Sequence, residues 1–106
     1  MDEEYLEAVL DLVERIPPGR VMTYGTIAEE VGRTLGRGGP RQVGRVMALA
    51  GGGVPWWRVV RASGLPPACH EREAADLLHA EGCPLRGTGE DARVVLRDAL
   101  WWPDEG

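Results

Sequence analysis

The 106-residue sequence predicts one small, mainly helical domain with short strands, organised around a variant helix-turn-helix. Three observations predict this. Apolar residues recur at helical spacing in four segments, glycine and proline clusters cut the chain between those segments, and a basic stretch without a single acid occupies the middle. The length supports one hydrophobic core and gives no reason to expect a second domain, so residues 1–106 are read as one unit.

Residues Glu3 to Ile16 place Tyr5, Leu6, Val9, Leu10, Leu12, Val13 and Ile16 on one stripe of an otherwise acidic helix, which Pro17-Pro18-Gly19 stops. Val21-Met22 suits a short extended piece. Thr23 can then cap a second helix from Tyr24 to Val31, burying Ile27, Ala28 and Val31. The run Gly32 to Gly39 is too glycine-rich for a helix and is expected to be a connecting loop. Pro40 fits the first turn of a third helix, which runs to about Ala50 with Val43, Val46, Met47 and Ala50 inward and Arg41 and Arg45 sharing an outer face. Two short helices, the second basic, suggest the helix-turn-helix, although the expected loop is longer than a tight turn.

Gly51-Gly52-Gly53 is expected to end that helix as a flexible hinge. Val54 to Val60 reads as a strand begun by Pro55, Ala62 to Ala68 as loop, and Glu71 to Glu81 as an amphipathic helix with Ala74, Leu77 and Leu78 inside, ended by Gly82. Ala92 to Trp102 is ambiguous between strand and helix. It is read as a C-terminal strand or extended tail anchored by Trp101 and Trp102.

The formal net charge of −5 would repel a polyanion. Its distribution says otherwise: between Val31 and His70 lie six arginines (Arg33, Arg37, Arg41, Arg45, Arg58 and Arg61) and no Asp or Glu. A partner responds to that local field rather than to the net charge. The acidic start, Met1-Asp2-Glu3-Glu4, lacks the basic character of a secretory signal, and no apolar run approaches membrane-spanning length. A cytoplasmic location is expected, with Cys69 and Cys83 as free thiols. His70 and His79 lack metal-ligand spacing, and no phosphate-binding glycine motif occurs, so neither metal nor cofactor is expected.

Pro55-Trp56-Trp57-Arg58-Val59-Val60 carries the strongest chemical signal. Adjacent tryptophans in a chain without phenylalanine are either core packing or the wall of a slot for a flat ligand such as a nucleobase. In an extended segment the two side chains point to opposite faces, so at most one of them lines a given pocket.

This segment resembles the Pro-Cys-His-Arg-Val motif of the O6-alkylguanine-DNA alkyltransferases. Thr23-Tyr24-Gly25-Thr26-Ile27-Ala28 resembles their first helix-turn-helix segment, and Arg41-Gln42-Val43-Gly44 the start of their recognition helix. Leu77-Leu78-His79-Ala80-Glu81-Gly82 resembles their late helix, and the order and spacing agree from about Met1 to Gly82. Where those enzymes hold the alkyl-accepting cysteine, this chain holds Trp56, which is the mark of the alkyltransferase-like proteins. The closing Trp101-Trp102-Pro103 is similar to the end of that subfamily.

The resemblance implies a winged helix-turn-helix domain that binds double-stranded DNA containing alkylated guanine, flips the base from the minor groove and transfers no alkyl group. It implies DNA contacts by Tyr24, Arg41, Gln42 and Arg45, with Arg41 filling the stack and Tyr24 pressing on the adjacent phosphate. It further implies a lesion pocket drawn from Tyr24, Trp56, Trp57, Arg58, Arg61 and Ser63, the last two on the loop after Val60. Nucleotide excision repair is the implied recipient, and a monomer is expected.

The chain departs from the family at Trp57, which replaces the relay histidine and leaves Glu81 a structural part. It departs again at Ser63-Gly64, where some members carry a lesion-contacting arginine, so that Arg61 is the substitute candidate. Pro67-Ala68-Cys69-His70 imitates the lost motif, but an alanine intervenes, and Cys69 is read as incidental. Two rivals remain: a transcription regulator reading intact sequence, and an active alkyltransferase, which Trp56 opposes.

Overall fold

A computed structural model describes residues 2–105. Helix α1 spans Glu3–Arg15. Its first turn is fixed by Asp2, whose carboxylate accepts the Tyr5 N–H at 3.1 Å, and Glu3 and Glu4 complement the positive end of the helix dipole. Tyr5, Val9, Leu12, Val13 and Ile16 form its buried stripe, as the spacing predicts.

Strand β1, Met22–Thr23, leads directly into helix α2, Tyr24–Leu35. Thr23 and Thr26 cap each other reciprocally: the Thr26 N–H donates to Thr23 Oγ1 at 3.0 Å and the Thr23 N–H to Thr26 Oγ1 at 2.9 Å. The helix continues four residues beyond the expected stop at Val31. An interior glycine costs about 1 kcal/mol against alanine. Here Leu35 packs against the core, and Gly36, at φ +70°, donates to the Gly32 carbonyl at 2.8 Å to close the end. The loop to the next helix is therefore short, and the helix-turn-helix is tighter than the glycine content suggests. Helix α3, Pro40–Ala50, starts at Pro40 as expected and buries Val43 and Val46, with Met47 and Ala50 half-buried.

Gly51–Gly53 forms a short 3-10 turn rather than an open hinge, and Gly51 is buried beneath Met47. The expected strand from Val54 is mostly a second turn, Trp56–Arg58, in which the Arg58 N–H donates to the Pro55 carbonyl at 3.0 Å. Proline, with φ fixed at −71° and no N–H for a ladder, favours that turn. Only Val59–Val60 is strand, β2, pairing parallel with β1 in the register Met22 to Val59 and Thr23 to Val60.

Helix α4, Glu71–Ala80, buries Ala74, Ala75 and Leu78; Ala75 takes the place expected for Leu77, which is half-exposed. A hairpin missing from the sequence reading follows, β3 (Leu85–Arg86) antiparallel to β4 (Arg93–Val94), and forms the wing. The ambiguous C-terminal segment divides into β4, a single helical turn α5 (Leu96–Ala99) and an extended end. Leu100 bridges to Val21, and Trp101, buried, donates its N–H to the Val21 carbonyl at 2.8 Å.

Two apolar clusters result. The larger joins α1, α2 and α3 with Val59 and Trp101; the smaller joins Val21, Val60, Leu78, Cys83, Val94 and Ala99. The β1–β2 pair runs between them, so the segment carrying both tryptophans is held from both sides. No helix among the described residues is long and apolar enough to cross a membrane.

Candidate nucleic-acid interface and base cavity

A cavity of about 630 Å³ opens between the helix-turn-helix and the start of α4, a size that suits a small organic ligand. Tyr24 enters it from the first turn of α2, Gly44, Met47 and Ala48 from one face of α3, and Gly51 and Gly52 from the following turn. Trp56 forms a wall, and Pro67, Ala68, His70 and Glu73 close the side nearest α4. Small residues on α3 leave the space open, and aromatic and thioether groups line it.

Trp56 is held by ring edges. Its indole meets Trp57 at 5.9 Å and 87°, and His70 at 5.6 Å and 62°, both T-shaped. Burial pushes the Tyr24 phenol above its ordinary range, partly opposed by the Arg61 charge, so the hydroxyl remains a donor at neutral pH. It makes no hydrogen bond among the described residues.

Trp57 and Arg58 turn away from this cavity. The Trp57 Nε1–H donates to Glu81 Oε2 at 3.0 Å. Arg58 donates to both Glu81 oxygens, at 3.1 and 2.6 Å, and to the Ile16 carbonyl at 2.8 Å, with its guanidinium 5.4 Å over the Trp57 ring. The Gly19 N–H supplies a further donor to Glu81 at 3.0 Å. Burial raises the Glu81 pKa, but the hydrogen bonds from Arg58, Gly19 and Trp57 outweigh it and hold the carboxyl below the usual glutamate range. Glu81 thus ties the α1 end, the tryptophan turn and α4 together.

Arg61 is likewise engaged. It donates to the Pro66 carbonyl at 2.9 Å and meets Glu71 at 3.3 Å, shaping the loop without lining the cavity. Ser63 is exposed on that loop, outside the cavity lining, and its carbonyl accepts from Arg93 at 3.4 Å. The loop is stitched to the wing at Gly64, whose φ of +90° admits glycine and where a Cβ would lie 2.5 Å from the Val94 carbonyl oxygen.

The six arginines of the acid-free stretch separate into two groups in space. Arg33 pairs with Glu30, Arg37 with Asp2 and Glu4, Arg58 with Glu81 and Arg61 with Glu71. Arg41 and Arg45 are exposed on the outer face of α3 and form no ion pair or hydrogen bond among the described residues. The exposed Leu49 continues their row one turn later. Gln42 at the start of the helix accepts the Gly39 N–H at 2.9 Å, which fixes the approach of the loop to α3.

Tyr24 and Trp56 are therefore brought together, with Arg41 and Arg45 on the outer face of α3. Met47, His70 and Glu73 also line the cavity, and sequence reasoning missed them. Met47 carried only the signal of a core residue, while His70 and Glu73 lie where the loop meets α4. Neither thiol is among the lining residues, although Cys69 stands between Ala68 and His70, which are. Cys69 is exposed at φ +72°, and Cys83 is buried with its pKa pushed up to about 11 by burial and by the charge of Glu81.

Residues 4–83 match the family described as the 6-O-methylguanine DNA methyltransferase DNA-binding domain. Alkyltransferase-like protein 1 of Schizosaccharomyces pombe is 34% identical over 110 residues, covering 97% of this chain and 98% of that one. A DNA base-flipping protein of Vibrio parahaemolyticus is 30% identical over 106 residues, covering 95% of this chain and 99% of its own. A crystal structure of the S. pombe protein in complex with damaged DNA containing O6-carboxymethylguanine superposes with a TM-score of 0.79 at 33% identity, over 97% and 99% of the two chains.

Proposed function

The chain belongs to the alkyltransferase-like proteins, and from that premise we propose that it binds O6-alkylguanine in duplex DNA by flipping the base into the Trp56 cavity, without removing the alkyl group. One observation carries this reading: an indole, not a thiol, forms the wall of a cavity roomy enough for a base, and the helix that supplies another wall carries two exposed arginines.

Base extrusion costs a few kcal/mol, and less at a damaged pair. Stacking on an aromatic face returns about 1–3 kcal/mol per base. Trp56 supplies that face, and Met47 and Pro67 add apolar contact for an alkyl substituent. Arg41 fills the vacated stack from the first turn of α3. Tyr24, a lining residue with its hydroxyl protonated, steers the nucleotide's phosphate. Arg45 neutralises a neighbouring phosphate, and Gln42 sets the start of the helix.

Trp57, Arg58 and Arg61 support the cavity from behind, and Ser63 borders the loop that closes it. Because indole cannot accept an alkyl group as a thiolate does, the lesion passes to another pathway. Nucleotide excision repair, carried over from the family resemblance, is the reading adopted for that recipient, with the protein acting as a single-domain monomer.

The test is to incubate the protein with duplex bearing radiolabelled O6-methylguanine. A complex should form and all label should remain on the DNA after denaturation. Label recovered on Cys69 would restore an enzymatic reading.

A further inference from the structure

We infer that the cavity selects neutral O6 adducts over anionic ones, with Glu73 as the residue that sets this preference. The inference rests on the proposed lesion-binding function and names the adduct class the same site takes. Among the residues lining the cavity, Glu73 is the one that carries a carboxylate. Its carboxylate is exposed, with His70 Nδ1, which carries charge only when protonated, 4.0 Å away.

The nearby arginines lie outside the lining. Arg61 is held by Glu71 and the Pro66 carbonyl, Arg58 by Glu81, and Arg41 and Arg45 lie on the outer face of α3, outside the lining. No Lys or Arg side chain lines the cavity among the described residues. The S. pombe relative is seen with DNA containing O6-carboxymethylguanine, whose substituent is a carboxylate. The same substituent in this cavity meets a like charge without a lining cation. A methyl, alkyl or amide-bearing adduct bears no charge for Glu73 to repel.

Two adducts of nearly equal size separate charge from bulk: O6-carboxymethylguanine and its amide, O6-carbamoylmethylguanine, each placed once in otherwise identical duplexes. At low salt the protein should bind the amide about two- to tenfold more tightly, the range Coulomb repulsion through partly solvated space gives. The gap should narrow as salt rises. In Glu73→Gln the two affinities should converge, and in Glu73→Lys the order should invert. Glu73 is exposed on the first turn of α4, so both variants should retain the native circular dichroism spectrum.

Equal or tighter binding of the carboxymethyl duplex by the unaltered protein overturns the inference, as does a gap unchanged in Glu73→Gln. An O6-methylguanine duplex against plain guanine serves as the control. Loss of that preference removes the lesion-binding reading itself, whereas an intact preference with no charge effect removes only the role of Glu73.

Discussion

Trp56 and Trp57 leave the same turn for opposite kinds of surroundings. Trp56 stands in an open cavity, touched by two ring edges, with no hydrogen bond to its indole among the described residues. Trp57 is bonded to a carboxylate that also holds a guanidinium and a backbone N–H. The arginines divide in the same way: Arg58 and Arg61 are engaged, while Arg41 and Arg45 face solvent unpaired among the described residues. One side of the molecule satisfies its polar groups internally and holds shape. The other leaves aromatic surface and charge unsatisfied, the condition for binding an anionic, aromatic partner.

Substitutions on the two sides should therefore fail in different assays. The largest effect is expected on the supporting side. Glu81→Ala strands a guanidinium that is only 13% exposed and removes the acceptor of Trp57 and Gly19, costing about 2–4 kcal/mol of stability. Urea unfolding measures this. The same experiment across pH carries a sign. Because the folded-state pKa of Glu81 is depressed, its contribution is complete above the ordinary glutamate range and is lost as pH falls through the depressed value. The acid limb of the stability profile should be shallower in Glu81→Ala.

On the binding side, Arg41→Ala should weaken lesion binding about tenfold to a hundredfold, in line with losing one charged finger at a base site, and leave the stability within about 0.5 kcal/mol of the parent. Fluorescence anisotropy with a lesion duplex and thermal melting read the two quantities. Trp56→Ala should cost about tenfold in affinity for the lesion duplex and much less for plain duplex, since stacking at about 1–3 kcal/mol matters only once the base is flipped. An equal loss on both duplexes would place Trp56 outside the base site. The smallest effect is Arg45→Gln, which should reduce the log–log salt slope by about 0.9, one phosphate contact, on any duplex.

Much of this division was legible in the residues, and the failures have physical causes. The spacing from Tyr5 to Ile16 and the double proline define α1 locally, and the Thr23 cap and Pro40 do the same for the starts of α2 and α3. The end of α2 was missed because Gly32 weakens a helix intrinsically, while Leu35 repays that loss only through packing against residues distant in sequence. The tryptophan segment reads as strand because its residues favour strands, yet Pro55 and the Glu81 anchor turn it into a helical turn. The resemblance implied a wing, but its strands could not be placed from the residues: two-residue strands such as Leu85–Arg86 and Arg93–Val94 are too short for alternation to register.

At the site, Tyr24 and Trp56 line the cavity, while Trp57, Arg58, Arg61 and Ser63 do not. A motif gives the neighbourhood of a side chain, but the local turn decides where it points. His70 and Glu73 complete the wall only because the loop after β2 folds back over Trp56.

The most direct measurement is a paired titration of two duplexes identical except for one O6-methyl group, at fixed salt. Tighter binding of the methylated duplex is the result that lesion recognition through the Trp56 cavity requires. Equal affinity for the two would contradict it, whatever the strength of the binding.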